Sequence, residues 1–349
     1  MAFRVAIDAM GGDNAPDVVV EGALEAVRQH GDELEVLLLG PEETVKTAFG
    51  PGASIPSGIQ VIDAPDIIGM AESPASAVKT KTNSSIHLGL GLVRQGRADC
   101  FVSAGNTGAV MAASAFILGR LPGVPRPAIA GPYPTLQSFC IVVDVGANVD
   151  CRPEHLAQFG LMGSIYMNLI HNREQPRVAL MNVGEEPGKG NELTKEAYKL
   201  LTEVEGINFV GNIEGRDLMH HAADVVVCDG FVGNIVLKLG ESVATVLVEM
   251  LKTEVQRLNL TWDERATVAR VVGTVQKQFN YEEYGGAPLL GIKGNVLIGH
   301  GGSTAKAIRR LIVAGAEMAK QAVSKSIAEA VSAQTAEKPD GIAAPGEQQ

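Results

Sequence analysis

Positive charge is in short supply. The chain carries 29 Lys and Arg against 40 Asp and Glu, a net charge of -11, which excludes general nucleic-acid binding because a phosphate backbone needs a cationic surface. Cysteine is equally scarce: Cys100, Cys140, Cys151 and Cys228 form no CxxC pair, and three of the four sit in apolar, strand-like runs. They read as reduced core residues of a cytoplasmic protein. No stretch reaches the roughly 18 apolar residues of a membrane span. Asp8 breaks the amino-terminal "MAFRVAIDAMGGD" before a signal-peptide core can form. No low-complexity linker divides the chain before Ala333, and at 46% hydrophobic residues it can bury a large core.

What the sequence does have is alternation. The apolar runs "RVAID", "EVLLLG", "IQVIDA", "DCFVSAG", "FCIVVDVG", "RVALMNVG", "INFVGN", "DVVVCDG" and "NVLIGHGG" alternate with helix-like segments. Continuous apolar runs of this kind are buried strands covered on both faces. The expected fold is a three-layer α/β/α domain over residues 1–333 with a large, mostly parallel, mixed sheet. Residues 334–349 lack apolar periodicity and are expected to form a disordered tail. A helical pattern from Glu241 to Leu258, then a capping box at Thr261 and Glu264 opening a second helix, predicts a helix-turn-helix arm over 241–279. Its tip holds Leu258, Leu260 and Trp262, the only tryptophan, between Arg257 and Arg265. These side chains suit the core, a subunit interface, or a membrane or partner contact. A single amphipathic helix is expected from Ala305 to about Ala333.

Six strands empty into loops rich in glycine and small polar residues. In open α/β sheets such loops, followed by helix amino termini, offer free N-H groups to an anion. Familiar nucleotide signatures do not fit. "GEEPGKG" has three residues between Gly184 and Gly188 where a P-loop has four, and ends in Gly190 where a P-loop needs Ser or Thr; "GHGGST" has Thr304 in place of the third dinucleotide glycine. Asp8, Asp13, Asp144, Asp150, Glu185, Glu186 and Asp229 lie near strand ends, but each also serves as a turn former or helix cap, so no metal is expected. The histidines form neither HxxxH nor HExxH; His300 is the one placed to face a ligand, and His220 and His221 read as surface or structural. Nothing near Cys151 would lower its pKa for nucleophilic work.

The motifs "VAIDAMGGDNAP" (5–16), "SAGNTGA" (103–109), "DVGANVDC" (144–151), "NVGEEPGKGNE" (182–192), "NFVGNIEGRD" (208–217), "CDGFVGN" (228–234) and "GHGGS" (299–303) resemble, in order, those of the bacterial PlsX family of phosphate acyltransferases. The resemblance runs from Arg4 to about Ala333. It implies transfer of a long-chain acyl group from acyl carrier protein to inorganic phosphate without a cofactor. It also implies an isocitrate dehydrogenase-like fold, a homodimer, and a cytoplasmic enzyme held peripherally at the membrane. The acyl phosphate would feed a membrane glycerol-3-phosphate acyltransferase in phospholipid synthesis.

That reaction needs little from the protein beyond positioning. Phosphate is already an anionic nucleophile, and a thiol of pKa about 8.5 leaves readily. An anion cradle and oxyanion donors suffice. Lys189 with the N-H groups of Gly188 and Gly190 is expected to hold phosphate, Glu185 and Glu186 to orient Lys189 or cap the next helix, and Ser103, Gly105, Asn106 and Thr107 to form a second wall. Asn234 and His300 would serve the oxyanion or the leaving sulfur, and Asp229 would orient a neighbour. An acidic carrier needs a basic patch: Arg257 and Arg265 on the arm, or Arg309 with Arg310. Three other readings share parts of this kit: a short-chain acyltransferase using coenzyme A, a decarboxylating dehydrogenase, and a non-enzymatic scaffold bringing carrier protein to membrane.

Overall fold

The computed structural model describes residues 2–258, 260–279 and 284–336. The apolar runs become strands β1 (Phe3–Asp8), β2 (Leu34–Gly40), β3 (Ile59–Asp63), β4 (Cys100–Ser103), β5 (Ala128–Pro134), β6 (Phe139–Val143), β7 (Arg177–Met181), β8 (Asn208–Ile213), β9 (Val225–Val227), β10 (Ala287–Leu290) and β11 (Asn295–Ile298). The helices between them are α1 (Asp17–His30), α2 (Glu42–Thr47), α3 (Pro74–Thr80), α4 (Ser85–Arg94), α5 (Thr107–Ile117), α6 (Pro153–His171), α7 (Glu192–Glu203), α8 (Gly215–Leu218), α9 (Gly230–Arg257), α10 (Trp262–Gln278), α11 (Ala305–Lys320) and α12 (Val323–Ala336).

All eleven strands join one sheet in the order β3-β2-β1-β4-β11-β10-β5-β6-β9-β7-β8. Successive side chains of a strand point to opposite faces, and here both faces are apolar. Val5 and Ile7 pack with α1, α6 and α11 in one layer, while Ala6 and Phe101 pack with α4 and α5 in the other. Val225, Val226 and Val227 are all fully buried, as a strand covered on both faces must be. This is the expected three-layer architecture.

Its centre differs from expectation. β10 pairs antiparallel with both β11 and β5, and β5 pairs antiparallel with β6. Strands β1 to β4 and β11 therefore run one way, and β6 to β9 run the other. Neither "AIAGPYP" nor "APLL" reads as a strand in sequence, because proline removes a ladder donor and two of these runs' prolines interrupt the apolar pattern.

Two helices also depart from the sequence reading. The expected single carboxyl-terminal helix is broken after Lys320, where Ala322 takes a positive φ of 51° and ends the helical path. α12 then continues to Ala336, past the expected boundary at Ala333, and residues 337–349 of the expected tail lie outside the described residues. α9 begins at Gly230 rather than Glu241 and spans 28 residues. By length and composition it is apolar enough to cross a membrane, although the sequence reading found no such segment. Charged side chains spaced along it hid the run. The capping box appears as expected: Thr261 N-H donates to Glu264 Oε2 at 2.8 Å, and Glu264 N-H donates to Thr261 Oγ1 at 3.4 Å.

Candidate active site

The reversal of strand direction sorts the glycine loops. Those after β1, β4 and β11 leave strands that run opposite to β6, β7, β8 and β9, yet through β10 and β5 the register sets Ile298 of β11 level with Val142 of β6, so both sets of loops start near the middle of the sheet. One element connects them. α9 starts at the end of β9, capped by Asp229 Oδ1 accepting from Val232 N-H at 2.8 Å, and packs back across β6 and β5. It can lie that close only because its inner face is glycine. A Cβ on Gly233 would collide with the Asp144 carbonyl, and one on Gly240 would stand 2.7 Å from the Tyr133 ring.

A cavity of about 190 Å³ opens beside α9 between the two sets of loops, with Val145 coming from the loop after β6. Its polar end takes Thr107 from the start of α5, Asn234 and Lys238 from α9, and His300 and Ser303 from the loop between β11 and α11. Its apolar floor is Ile129, Pro132, Val145, Leu237, Ala287 and Ile298. Two helix amino termini reach the polar end, those of α5 and α11, each with the positive end of its dipole. Lys238 Nζ is 2.9 Å from Glu241 Oε2 on the rim. His300 accepts a bond at Nδ1 from Gly302 N-H at 3.1 Å.

Of the expected site residues, Thr107, Asn234 and His300 come together here. Others do not, and each has a visible reason. Ser103 is fully buried and donates to Asp8 Oδ2 at 2.8 Å, while Gly105 is buried with its N-H on Ser103 Oγ at 3.0 Å. Asn106 caps α5 through Oδ1, accepting from Ala109 N-H, and gives Nδ2 to the carbonyls of Gly69, Met70 and Glu72. These three shape the α5 terminus from behind and form no exposed wall. Gly188 and Lys189 are exposed on the loop after β7, several strands from β11, and neither lines the cavity. Gly190 in that loop has a positive φ of 89° and packs against Asn182 and Thr194. Asn191, not Glu185 or Glu186, caps α7, and Asp229 serves as a cap.

Lys238, Glu241 and Ser303 are polar residues of the cavity lining that the sequence reading did not assign to the site. Helical spacing was the available signal, since Asn234, Lys238 and Glu241 share one face of α9 at i, i+4 and i+7.

Two buried carboxylates stand behind the loops. Asp8 Oδ1 accepts from Ser85 Oγ at 2.5 Å and Met10 N-H at 3.1 Å. Asp144 Oδ1 accepts from Ile129 N-H at 3.0 Å and Ala147 N-H at 3.1 Å, and its Oδ2 accepts from Asn148 N-H at 2.6 Å and Asn148 Nδ2 at 3.0 Å. Burial pushes both carboxyls above the usual range, against the pull of these bonds. They hold backbone in place.

The cysteines are no nucleophiles. Cys100, Cys140 and Cys228 are buried free thiols, and burial, with Asp144 and Asp229 nearby, pushes the Cys151 thiol up to about 11. His221 is buried between Thr135 Oγ1 and Asp224 Oδ1, at 3.0 and 3.1 Å, so it is structural, and His220 is exposed. At the arm's tip Trp262 is 81% exposed and Leu258 53% exposed. Arg257 pairs with Glu254 at 2.9 Å, and Arg265 donates to the Leu260 carbonyl at 3.1 Å.

Residues 3–326 match the model of a family described as fatty acid synthesis protein. The phosphate acyltransferase of Salinibacter ruber is 51% identical over 336 residues, covering 96% of this chain and 99% of its own. That of Thermodesulfovibrio yellowstonii is 46% identical over 336 residues, with 96% of each chain covered. Among solved structures, a phosphotransacetylase from Streptococcus pyogenes superposes with a TM-score of 0.62 at 17% identity, covering 91% of this chain and 94% of that one. The EutD phosphotransacetylase from Staphylococcus aureus gives 0.57 at 18% identity over the same shares. At these identities the solved structures speak for the fold.

Proposed function

The chain belongs to the PlsX family, the fatty acid synthesis proteins whose relatives bear the name phosphate acyltransferase, and from that membership we propose that it moves a long-chain acyl group from acyl carrier protein to inorganic phosphate. The observation that carries the reading is the two-ended cavity. One end gathers helix amino termini, Asn234, Lys238, His300 and Ser303, and the other is apolar. Phosphate sits between the α5 and α11 termini with Lys238 as counter-charge. One phosphate oxygen attacks the thioester carbonyl carbon, Asn234 and His300 donate toward the oxygen that becomes negative, and the C-S bond breaks to release the carrier thiolate. An acyl phosphate results. No side chain forms a covalent intermediate, in keeping with a Cys151 thiol raised to about 11. Each oxyanion donor contributes about 3 kcal/mol to such a transition state.

The product suits phospholipid synthesis, where a membrane glycerol-3-phosphate acyltransferase would take it up. In this reading residues up to Ala333 form one cytoplasmic catalytic domain, and α9 with α10 forms its arm. Leu239, Val246, Met250 and Val271 are exposed along the arm, an apolar surface suited to a homodimer. Trp262 and Leu258 at the tip suit shallow insertion into lipid headgroups, a peripheral association. Arg257 and Arg265 beside them offer positive charge to an acidic carrier protein.

The test is thiol release from long-chain acyl carrier protein with and without phosphate, trapping acyl phosphate with hydroxylamine. Phosphate-dependent release with hydroxamate formation is expected. Release from short acyl-CoA alone would make the protein a short-chain enzyme, and silence with both would leave the scaffold reading. Asn234→Ala should lower kcat about a hundredfold, and Lys238→Ala should raise the phosphate KM. Lys189→Ala should change neither; a raised phosphate KM there would return the anion to the loop after β7.

A further inference from the structure

A second, smaller cavity of about 20 Å³ adjoins the first and shares Pro132, Leu237 and Glu241 with it. Tyr133, Gly240, Phe279 and Tyr284 close its far side. The two lie in line. β5 from Ile129 to Pro134 forms one wall, about 17 Å by strand rise, and α9 from Asn234 to Glu241 forms the other, about 10 Å by helix rise. Leu237 stands at the junction.

The wall along this line is mostly apolar, and Glu241 is the one charged side chain that both cavities share. The floor's backbone is already satisfied: Ile129 N-H donates to Asp144 Oδ1, and the Ile129 carbonyl accepts from Val145 N-H at 3.1 Å. Water therefore finds few partners there. An apolar protein cavity of comparable size, about 150 Å³, accepts a hydrocarbon guest. At the far end the Tyr133 ring rests on the α9 backbone because residue 240 is glycine.

Taking the proposed acyl transfer as given, we propose that the acyl chain lies in this channel, thioester at the polar end and methyl end toward Tyr133, Phe279 and Tyr284, and that Leu237 and Gly240 set the chain length accepted. Leu237 is the gate between the cavities. Gly240 fixes the end stop by where it lets Tyr133 sit.

The experiment is a chain-length profile: kcat/KM for phosphate-dependent thiol release from butyryl, octanoyl, dodecanoyl and palmitoyl carrier protein. In the wild type kcat/KM should rise about fourfold per methylene until the methyl end meets the stop, the equivalent of about 0.8 kcal/mol per buried CH₂. Leu237→Trp should cut the palmitoyl-to-octanoyl ratio at least tenfold. Gly240→Ala, a change that favours helix and so guards against a folding artefact, should push Tyr133 into the channel and lower the same ratio. Leu237→Ala should move the optimum to longer chains. Folded variants that all keep the wild-type profile would overturn the channel while leaving acyl transfer to phosphate intact. A wild type that makes no acyl phosphate from any donor would overturn the transfer itself.

Discussion

Asp8 and Asp144 end the first strand of each half of the sheet, and both are buried, raised carboxyls that pin a glycine loop. They differ in what they hold. Asp8 is gripped by two hydroxyls, Ser85 and Ser103, and one amide, whereas Asp144 is gripped only by N-H groups, from Ile129, Ala147 and Asn148. A hydroxyl can donate or accept, but an N-H can only donate. The first site can re-pair its hydrogens after a change of partner, and the second cannot. The second is also the one that α9 rests on, since Gly230 N-H donates to the Asn148 carbonyl at 2.7 Å. Adaptable chemistry lies behind α5, and rigid chemistry behind the helix that carries Asn234 and Lys238.

The largest effect should come from Asp144→Asn. Whichever way the amide is turned, its NH₂ faces N-H donors and leaves at least two unsatisfied, a loss of about 3 kcal/mol or more in urea unfolding, with impaired acyl-phosphate formation because α9 shifts. Asp8→Asn should cost about 1 kcal/mol, because Ser103 can accept from the new NH₂. Equal losses would erase the distinction. Asp8 also predicts a pH slope. Its native pKa is raised above 3.8, so from there up to the raised value the native chain holds more protons and stability falls as pH rises, and the likewise raised Asp144 adds a slope of the same sign. Asp8→Asn should reduce that slope in denaturation midpoints, leaving the part due to Asp144; an unchanged slope would assign it wholly elsewhere. The smallest effect belongs to Cys151, whose Sγ lies 3.5 Å from the Asn148 carbonyl at the edge of the Asp144 cradle. With its thiol near 11, about one in a thousand is ionised at pH 8. Cys151→Ala should change kcat by less than about twofold, and iodoacetamide should label the thiol slowly.

Nine of the strands were legible because each is a continuous apolar run between helical segments. β5 and β10 were not, since Pro132, Pro134 and Pro288 break the pattern of strands that lie in the middle of the sheet. Missing them hid the reversal of direction, and with it how far across the sheet the Lys189 loop after β7 lies from Thr107 after β4. Glycine loops announced an anion site, but only the topology says which loops share it. Thr107, Asn234 and His300, expected from motif chemistry, line one cavity. Lys238 was not expected there, because it sits within an otherwise ordinary helix and gains meaning only from where α9 crosses β5. The break at Ala322 left no Gly or Pro to mark it.

The sheet order carries a consequence for how the molecule is made. β11 pairs with β4 through Asn295↔Cys100 to Ile298↔Ser103, and β10 then links it to β5. The final two strands of the chain thus lie at its centre, joining two halves whose other strands were all synthesised earlier. Each half can begin to assemble on the ribosome, but they cannot be stitched together until residue 298 has emerged. The cavity, walled by β5, β10, β11 and the loop before α11, cannot close before these strands have been made.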